Sequence, residues 1–243
     1  MKKNNLDNQE TLFLHARIIY KKLFLKKLYA DFYYELLNNS FPRGPIVELG
    51  SGAGFIKKIK PQVITSDVIK DTNIDKVFSA TKMPFKNSSI SAFLMFDVLH
   101  HIKDTKKALD EMSRCLKKDG KIVMIEPYNS FFGRFIFQNF HHENFDPTAG
   151  WKIRGAGRLS DANGALSWII FIRDRKLFVD QFPSLKIVKV IPHTPLRYLL
   201  SGGLSHWWSF PSFGYGFIKL LENILNPFNS FLGMFVTIEI EKK

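Results

Sequence analysis

Residues 45–54 read PIVELGSGAG, a short β-run that ends in an acid and passes straight into glycines at 50, 52 and 54. Alternating glycines permit a tight turn and let backbone N–H groups approach a ligand closely. The chain around this loop has a matching rhythm. Short apolar runs, PIVEL (45–49), QVIT (62–65), KVF (76–78), ISAFLMF (90–96), KIVMIE (121–126), LKIVKVI (185–191) and MFVTIEIE (234–241), alternate with helical stretches. A parallel sheet with crossover helices produces that alternation. In the last run Phe235, Thr237 and Glu239 alternate with Val236, Ile238 and Ile240. One face is therefore expected to be more polar, as in an antiparallel strand appended to a parallel sheet. Residues 104–118 predict a helix with Asp104 as N-cap and Ala108, Leu109, Met112 and Leu116 as its buried stripe. LKKDGK then turns into the next strand. Upstream, 11–37 predicts one long helix bearing Lys21, Lys22, Lys26 and Lys27, stopped by Asn38, Asn39, Ser40, Pro42, Gly44 and Pro45.

A length of 243 residues suits a single domain with insertions. Its expected parts are an N-terminal helix (11–38), a ligand-binding core (45–126) and two segments outside the alternation, 127–160 and 192–231. Both segments leave from the carboxyl ends of strands, the edge where open α/β sheets bind ligands. Together they hold 17 of the chain's 35 aromatic residues, which marks them as apolar caps. One cysteine, Cys115, excludes a disulfide framework and any multi-cysteine zinc site. No run of 18 apolar residues predicts a membrane span. MKKNNLDNQE has no apolar stretch behind its lysines, so a cytoplasmic setting is expected. The net charge of +13 suits an anionic partner (nucleic acid, a membrane surface or an acidic substrate), or reflects general lysine drift.

The glycine loop departs from the dinucleotide fingerprint G-x-G-x-x-G, because Phe55 stands where the third glycine should be. Glu48, two residues before the first glycine, suits a ligand that carries an ammonium group and disfavours a pyrophosphate. Asp67, 19 residues after Glu48 in VITSD, can accept hydrogen bonds from both hydroxyls of a ribose.

With these features, and with VELGSGAGF, ITSD, ATKMPF, LMFDVLHHIKD and LKKDGKIVMIEP in that order, the chain resembles the class I S-adenosylmethionine-dependent methyltransferases. Within them it is most similar to the small bacterial group related to ubiquinone/menaquinone-type methylases. The resemblance covers about 45–126 and extends more weakly to the last strand. It implies a doubly wound α/β fold, with a seven-stranded, mostly parallel sheet, an antiparallel C-terminal strand and aromatic-rich cap insertions. It implies S-adenosyl-L-methionine as cofactor. The loop Gly50, Ser51, Gly52 and Gly54 would wrap the methionine part, with Glu48 near its amino group. Asp67 would hold the ribose, Ser79 and Ala80 would meet the adenine, and Asp97 would lie beside the methionine and the transferring methyl. The family often has Asp where Ser79 stands, and a serine is the weaker acceptor.

Methyl transfer is an in-line displacement for which a protein supplies alignment, exclusion of water and sometimes a base. Histidine is the usual base. His100 and His101 follow the fourth strand, where the family's substrate pocket begins. His141 and His142, with Glu143 and Asp146, lie in the first cap segment. His100, His101 and His142 are thus the candidate base or acceptor-anchoring residues, against a plain packing or hinge role. No metal is expected, since the spacing matches no zinc pattern. Arg154, Arg158, Arg173, Arg175 and Arg197 are either grips for a phosphate or carboxylate or ordinary surface residues. Trp207, Trp208 and FPSFGYGF read as a pocket wall, a membrane contact or packing of the cap. Gly202, Gly203, Gly214 and Gly216 would keep that wall adaptable.

The expected activity is methyl transfer to a small-molecule or lipid-linked acceptor under the aromatic cap. RNA methylation is the alternative raised by the charge. Base-modifying enzymes of this kind often carry Asn/Asp-Pro-Pro-aromatic after the fourth strand, where this chain has FDVLHH, and no RNA-binding module is appended. A third reading is a non-catalytic cofactor-binding protein that sits on an anionic membrane surface through the Lys-rich 11–37 and the aromatic C-terminal segment. The acceptor atom and the oligomeric state are not legible in these residues.

Overall fold

A computed structural model describes residues 9–243 except 156 and 158–160, with side chains from Leu14 onward. Its sheet has seven strands: β1 (Ile46–Leu49), β2 (Ile64–Asp67), β3 (Lys76–Val77), β4 (Ile90–Phe96), β5 (Leu116–Pro127), β6 (Leu185–His193) and β7 (Phe235–Lys242). Their spatial order is β3-β2-β1-β4-β5-β7-β6. The first five pair in parallel, whereas β7 runs antiparallel to both β5 and β6. Helices α1 (Gln9–Lys21) and α2 (Leu23–Leu37) precede the sheet, and α3 (Thr105–Cys115) links β4 to β5. Then come α4 (Phe131–Phe140), α5 (Leu166–Trp168), α6 (Arg175–Gln181), α7 (Arg197–Ser201), α8 (Tyr215–Leu225) and α9 (Asn229–Leu232). This is the expected α/β fold with its antiparallel last strand.

Each face of the sheet has its own core. On one, Ala108, Leu109 and Met112 of α3 meet Leu166, Phe171 and Phe178 over the β4–β5–β7 strands. On the other, Phe24, Leu28 and Phe32 of α2 pack with Ile56, Phe137 and Tyr215. Asp104 caps α3 as expected, accepting from the Lys107 N–H at 3.1 Å.

Three local expectations are corrected. The predicted helix 11–37 is two helices with a break at Lys22, whose backbone is extended. The break turns the Lys22 ammonium onto the carbonyls of Gly203, at 2.8 Å, and of Gly202 and His206, so a distant loop caps the kink. Leu116 already belongs to β5, and LKKDGK is a bulge within that strand rather than a turn before it. Leu116 lies opposite Ile90 and Lys121 opposite Ala92, and the excess chain loops out with Asp119 at φ 60°. Finally, β7 has no exposed polar face. It is an interior strand, so Thr237 and Glu239 are buried with the rest. Thr237 is bound by His193 at 2.9 Å. Glu239 is held by Lys121 at 2.6 Å and Lys189 at 2.9 Å.

Pro127 and His193 both pair with Phe235, so β5 and β6 end at the same edge of the sheet. Both cap segments therefore rise from one edge. The first contains α4 and the second contains α7, α8 and α9. They meet where Phe131 stacks on Phe231 with ring centroids 4.9 Å apart. Among the described residues no helix is long and apolar enough to cross a membrane.

Candidate functional site

The glycine loop sits at the carboxyl end of β1. Gly50 is left-handed at φ 65°, and a Cβ there would lie 2.6 Å from Val98 Cγ2. Gly54, at φ 68°, would bring a Cβ to 2.6 Å from Asn73 Cβ. No L-residue with a side chain suits either position. The loop is tied to β2 on two sides. Ser51 N donates to Ser66 O at 2.9 Å, and Ser66 N donates to Ser51 Oγ at 3.1 Å. Gly52 N donates to Asp67 Oδ2 at 3.1 Å, while Asp67 Oδ1 accepts from Val68 N at 2.7 Å. The Asp67 carboxylate thus shapes the crook of the loop. Ser79 and Ala80 follow β3 on the same edge, the Ser79 hydroxyl lying 2.9 Å from that of Thr81.

Glu48 lies under the loop and is 1% exposed, with Oε2 lacking any hydrogen-bond partner. Burial pushes its carboxyl up to about 7; the Ser51 and Tyr33 hydroxyls pull the other way but do not win, and Asp67 adds to the rise. A buried carboxylate with a vacant oxygen calls for a cationic donor.

Asp97 ends β4 in the left-handed region, at φ 60°, with its N–H on Ile125 O at 2.9 Å. It faces a small cavity of about 10 Å³ lined also by His141, Glu143, Asn144 and Tyr198. That is scarcely the space of one water. Beside it lies a dense titratable cluster. His100 is fully buried, and its Nδ1 lies 2.6 Å from Glu126 Oε2. The other Glu126 oxygen accepts from Val98 N at 2.9 Å and Leu99 N at 2.7 Å. His100 Nε2 is 3.3 Å from Glu143 Oε2 and 3.9 Å from Asp97 Oδ1. Glu143 is also approached by His101 Nε2 and His142 Nε2, each at 3.6 Å, and by His141 Nδ1 at 3.9 Å.

Electrostatics follow from that arrangement. Burial opposes charge on His100, but Glu126 and Glu143 outweigh it and hold the imidazolium well above the usual histidine range. Burial also raises Glu143, and there the histidines prevail, led by His100, so it stays ionised. Asp97 is pushed up by burial, reinforced by Glu143 and Glu126 against the pull of His100. Burial drives His141 down to about 4.

The structure therefore brings His100, His101 and His142 together around one carboxylate, next to Asp97. Sequence reasoning passed over Glu126 as a functional residue. Its one local signal is an acid at the end of an otherwise apolar strand run, IVMIE. Arg197 is no free phosphate grip. It is bound by Glu222, by Asp31 at 2.6 Å and by the Tyr215 hydroxyl at 2.8 Å. Arg173 is held by Asp174 at 2.8 Å and by Pro147 O at 2.6 Å. Arg154 and Arg175 are exposed, and Arg158 lies outside the described residues.

Comparison with known proteins places the core. A family model described as a methyltransferase domain matches residues 47–124. A probable polyketide synthase of Dictyostelium discoideum is 31% identical over 85 residues, 35% of this chain and 3% of that protein. An uncharacterized protein of Methanocaldococcus jannaschii is 30% identical over 120 residues, 46% of this chain and 58% of the relative. The chain thus spans less than two thirds of either curated relative. Among solved structures, a methyltransferase of Thermotoga maritima described as a possible histamine N-methyltransferase superposes with TM-score 0.56 at 18% identity, covering 97% of this chain and all of that one. A geranyl diphosphate methyltransferase solved with S-adenosylmethionine gives 0.52 at 17% identity, covering 94% of this chain and 90% of that one. At such identity the likeness is one of fold. Residues 47–124 thus match a methyltransferase domain, and the sheet that carries them shares the fold of these S-adenosylmethionine-dependent methyltransferases.

Proposed function

We propose that the protein transfers a methyl group from S-adenosylmethionine to a small-molecule or lipid-linked acceptor bound between the cluster around Glu143 and the aromatic cap. The observation that carries the cofactor reading is the buried Glu48 oxygen without a partner, set under a loop whose glycines leave no room for side chains. The residues present fit the cofactor. Glu48 offers a carboxylate to its ammonium group, the loop Gly50–Gly54 offers close backbone approach, and Asp67 offers oxygens to its ribose. Ser79 and Ala80 would meet the adenine, and Asp97 would lie at the methyl side. When bound, S-adenosylmethionine supplies an electrophilic methyl on a sulfonium centre.

The chain's own residues do the rest. The first cap segment lines the cavity at Asp97 through Phe137 and Phe145 and the second through Tyr198, which limits the access of water to it. Asp97, Glu143, Asn144 and Tyr198 line the space an acceptor's nucleophile would enter. They orient it by hydrogen bonds and offer carboxylates for the proton it sheds. His100, His101 and His142 act through Glu143, which they surround.

The acceptor class is read from the cap. Between Tyr198 and Met234 the only charged residues are Lys219 and Glu222. Large apolar side chains there are open to solvent: Trp207 is 93% exposed and Phe213 is 89% exposed. Phe131, Phe217 and Phe228 are also more than half exposed. A face this apolar suits a hydrophobic acceptor or the bilayer that holds one. Lysines of α1 and α2 border it, and Lys27 Nζ reaches Ser212 O at 2.9 Å. Such a border favours anionic lipid over a neutral surface. A phosphodiester chain would instead need lysines and arginines across the cap itself. The geranyl diphosphate methyltransferase that shares this fold acts on an apolar molecule with an anionic head, which agrees with the reading without assigning that substrate here.

The test is incubation of the protein with methyl-labelled cofactor and a membrane lipid extract, an aqueous metabolite extract or total RNA. Label in the lipid fraction is the expected outcome. Label confined to RNA overturns the acceptor class, and label confined to aqueous metabolites removes its lipid-linked form.

A further inference from the structure

The cluster around Glu143 has more convergence than the proton of one ion pair requires. His100 donates its Nδ1 proton to Glu126, 2.6 Å away, so Nε2 carries either the second proton of an imidazolium or, once that proton is displaced, a lone pair that can bind a metal ion. Nε2 is buried, has no hydrogen-bond partner, and points at two carboxylates, Glu143 at 3.3 Å and Asp97 at 3.9 Å. Asp97, Glu126 and Glu143 form a concentrated negative site. Among the described residues none of the three is paired with a lysine or arginine; His100, His101, His141 and His142 are their only basic neighbours. A proton on His100 answers part of that charge. It does not account for His101 and His142 closing on the same carboxylate, each at 3.6 Å.

The geometry points to a binding site for one divalent transition-metal ion, held by His100 Nε2, His101 and Glu143. Ligand atoms of these three residues all lie within 4.8 Å of one another. Two ligand atoms about 2.1 Å from a common ion at a tetrahedral angle are ~3.4 Å apart. The observed separations, 3.3 Å from His100 Nε2 to Glu143 Oε2 and 3.6 Å from His101 Nε2 to Glu143 Oε1, lie close to that value, each imidazole facing its own oxygen of the carboxylate. The remaining edge, between the two imidazoles, is no longer than 4.8 Å and shortens when both bind one ion. Glu126 completes the arrangement expected around a metal-bound imidazole. It is a carboxylate on the far ring nitrogen, itself fixed by the backbone N–H groups of Val98 and Leu99. Two imidazoles and one carboxylate select a borderline ion such as Zn²⁺, Fe²⁺, Mn²⁺ or Co²⁺ over Ca²⁺ or Mg²⁺. The site opens on the Asp97 side, toward the cavity that Asp97, His141 and Glu143 share. Remaining positions on the ion are thus available to an oxygen or nitrogen of the acceptor. The four histidines come from two loops 40 residues apart in the chain, so no short sequence pattern announces the site.

The inference does not depend on the cofactor reading, and its test keeps the two separate. Tag-free protein, dialysed against chelator, is titrated calorimetrically with Zn²⁺, Mn²⁺ or Co²⁺, and with Fe²⁺ without oxygen. Metal content is then measured after gel filtration, and the visible spectrum of the Co²⁺ form is recorded. One ion retained per chain is expected with at least one of these metals. Glu143→Gln and His101→Ala should each abolish retention. Glu126→Gln should weaken it about 10–100-fold, because Glu126 acts through His100. Titration of every variant with S-adenosylhomocysteine reports on folding and on the cofactor site independently. No retained ion in the wild type overturns the inference. So does equal retention by Glu143→Gln and His101→Ala variants that still bind the nucleoside, since the ion would then sit elsewhere.

Discussion

Glu48 gives the sharpest quantitative expectation. Burial raises its carboxyl from 4.5 to about 7. A raised folded-state value means that the fold prefers the protonated acid. Below about pH 4.5 neither folded nor unfolded chain is ionised there, and the group is neutral in its effect. As pH rises from 4.5 to 7 the unfolded chain ionises first, and stability falls. Above 7 the full penalty is present. At ~1.4 kcal/mol per pH unit of displacement it amounts to ~3 kcal/mol. Glu48→Gln removes the titration. Its own buried amide shifts stability by some constant amount, but the difference between variant and wild type must change with pH. Urea unfolding at pH 5 and pH 8 should show that difference moving by ~2–3 kcal/mol in favour of the variant. The same change should weaken the cofactor. A charged hydrogen bond contributes about 1.5–3 kcal/mol, so S-adenosylhomocysteine should bind roughly 10- to 100-fold less tightly at pH 8. Wild-type affinity should also rise with pH up to about 7 and then level off, because an ammonium group favours the ionised acid. A stability difference that stays constant between pH 5 and 8, with unchanged nucleoside affinity, would refute the reasoning.

Other outcomes follow from single contacts. Gly50→Ala combines a left-handed backbone at φ 65° with a Cβ 2.6 Å from Val98. It should cost about 2 kcal/mol or more in thermal or urea unfolding and eliminate detectable nucleoside binding. Glu126→Ala strips a buried partner from His100 and from two backbone N–H groups. A loss of about 3–5 kcal/mol in urea unfolding is expected, far beyond that of a surface change. Trp207→Ala with Phe213→Ala should leave stability within about 0.5 kcal/mol, yet reduce co-flotation with vesicles containing anionic lipid. Unchanged flotation, or none by the wild type, would remove the membrane role of the cap.

What the chain reveals by reading alone is what depends on neighbours in sequence. The limits of β4, the Asp104 cap and the glycine loop all arise from local periodicity, a side chain reaching its own helix, or backbone freedom at three glycines. The break at Lys22 could not be read, because its cause lies at residues 202–206. Nor could the burial of Thr237 and Glu239. Their alternation is that of a half-exposed strand, and only the placement of β6 beyond β7 covers them. His100 and His101 were legible as candidates because they follow β4 directly. Their convergence with Glu143, and the support from Glu126, were not. That arrangement needs the first cap segment folded back over the strand edge, a long-range event that no local spacing encodes.

The most direct measurement is a calorimetric titration of folded protein with S-adenosylmethionine and with S-adenosylhomocysteine. One site per chain, weakened by both Glu48→Gln and Gly50→Ala, is the predicted result. Absence of binding heat for both nucleosides across several temperatures, in protein shown to unfold cooperatively, would contradict the account.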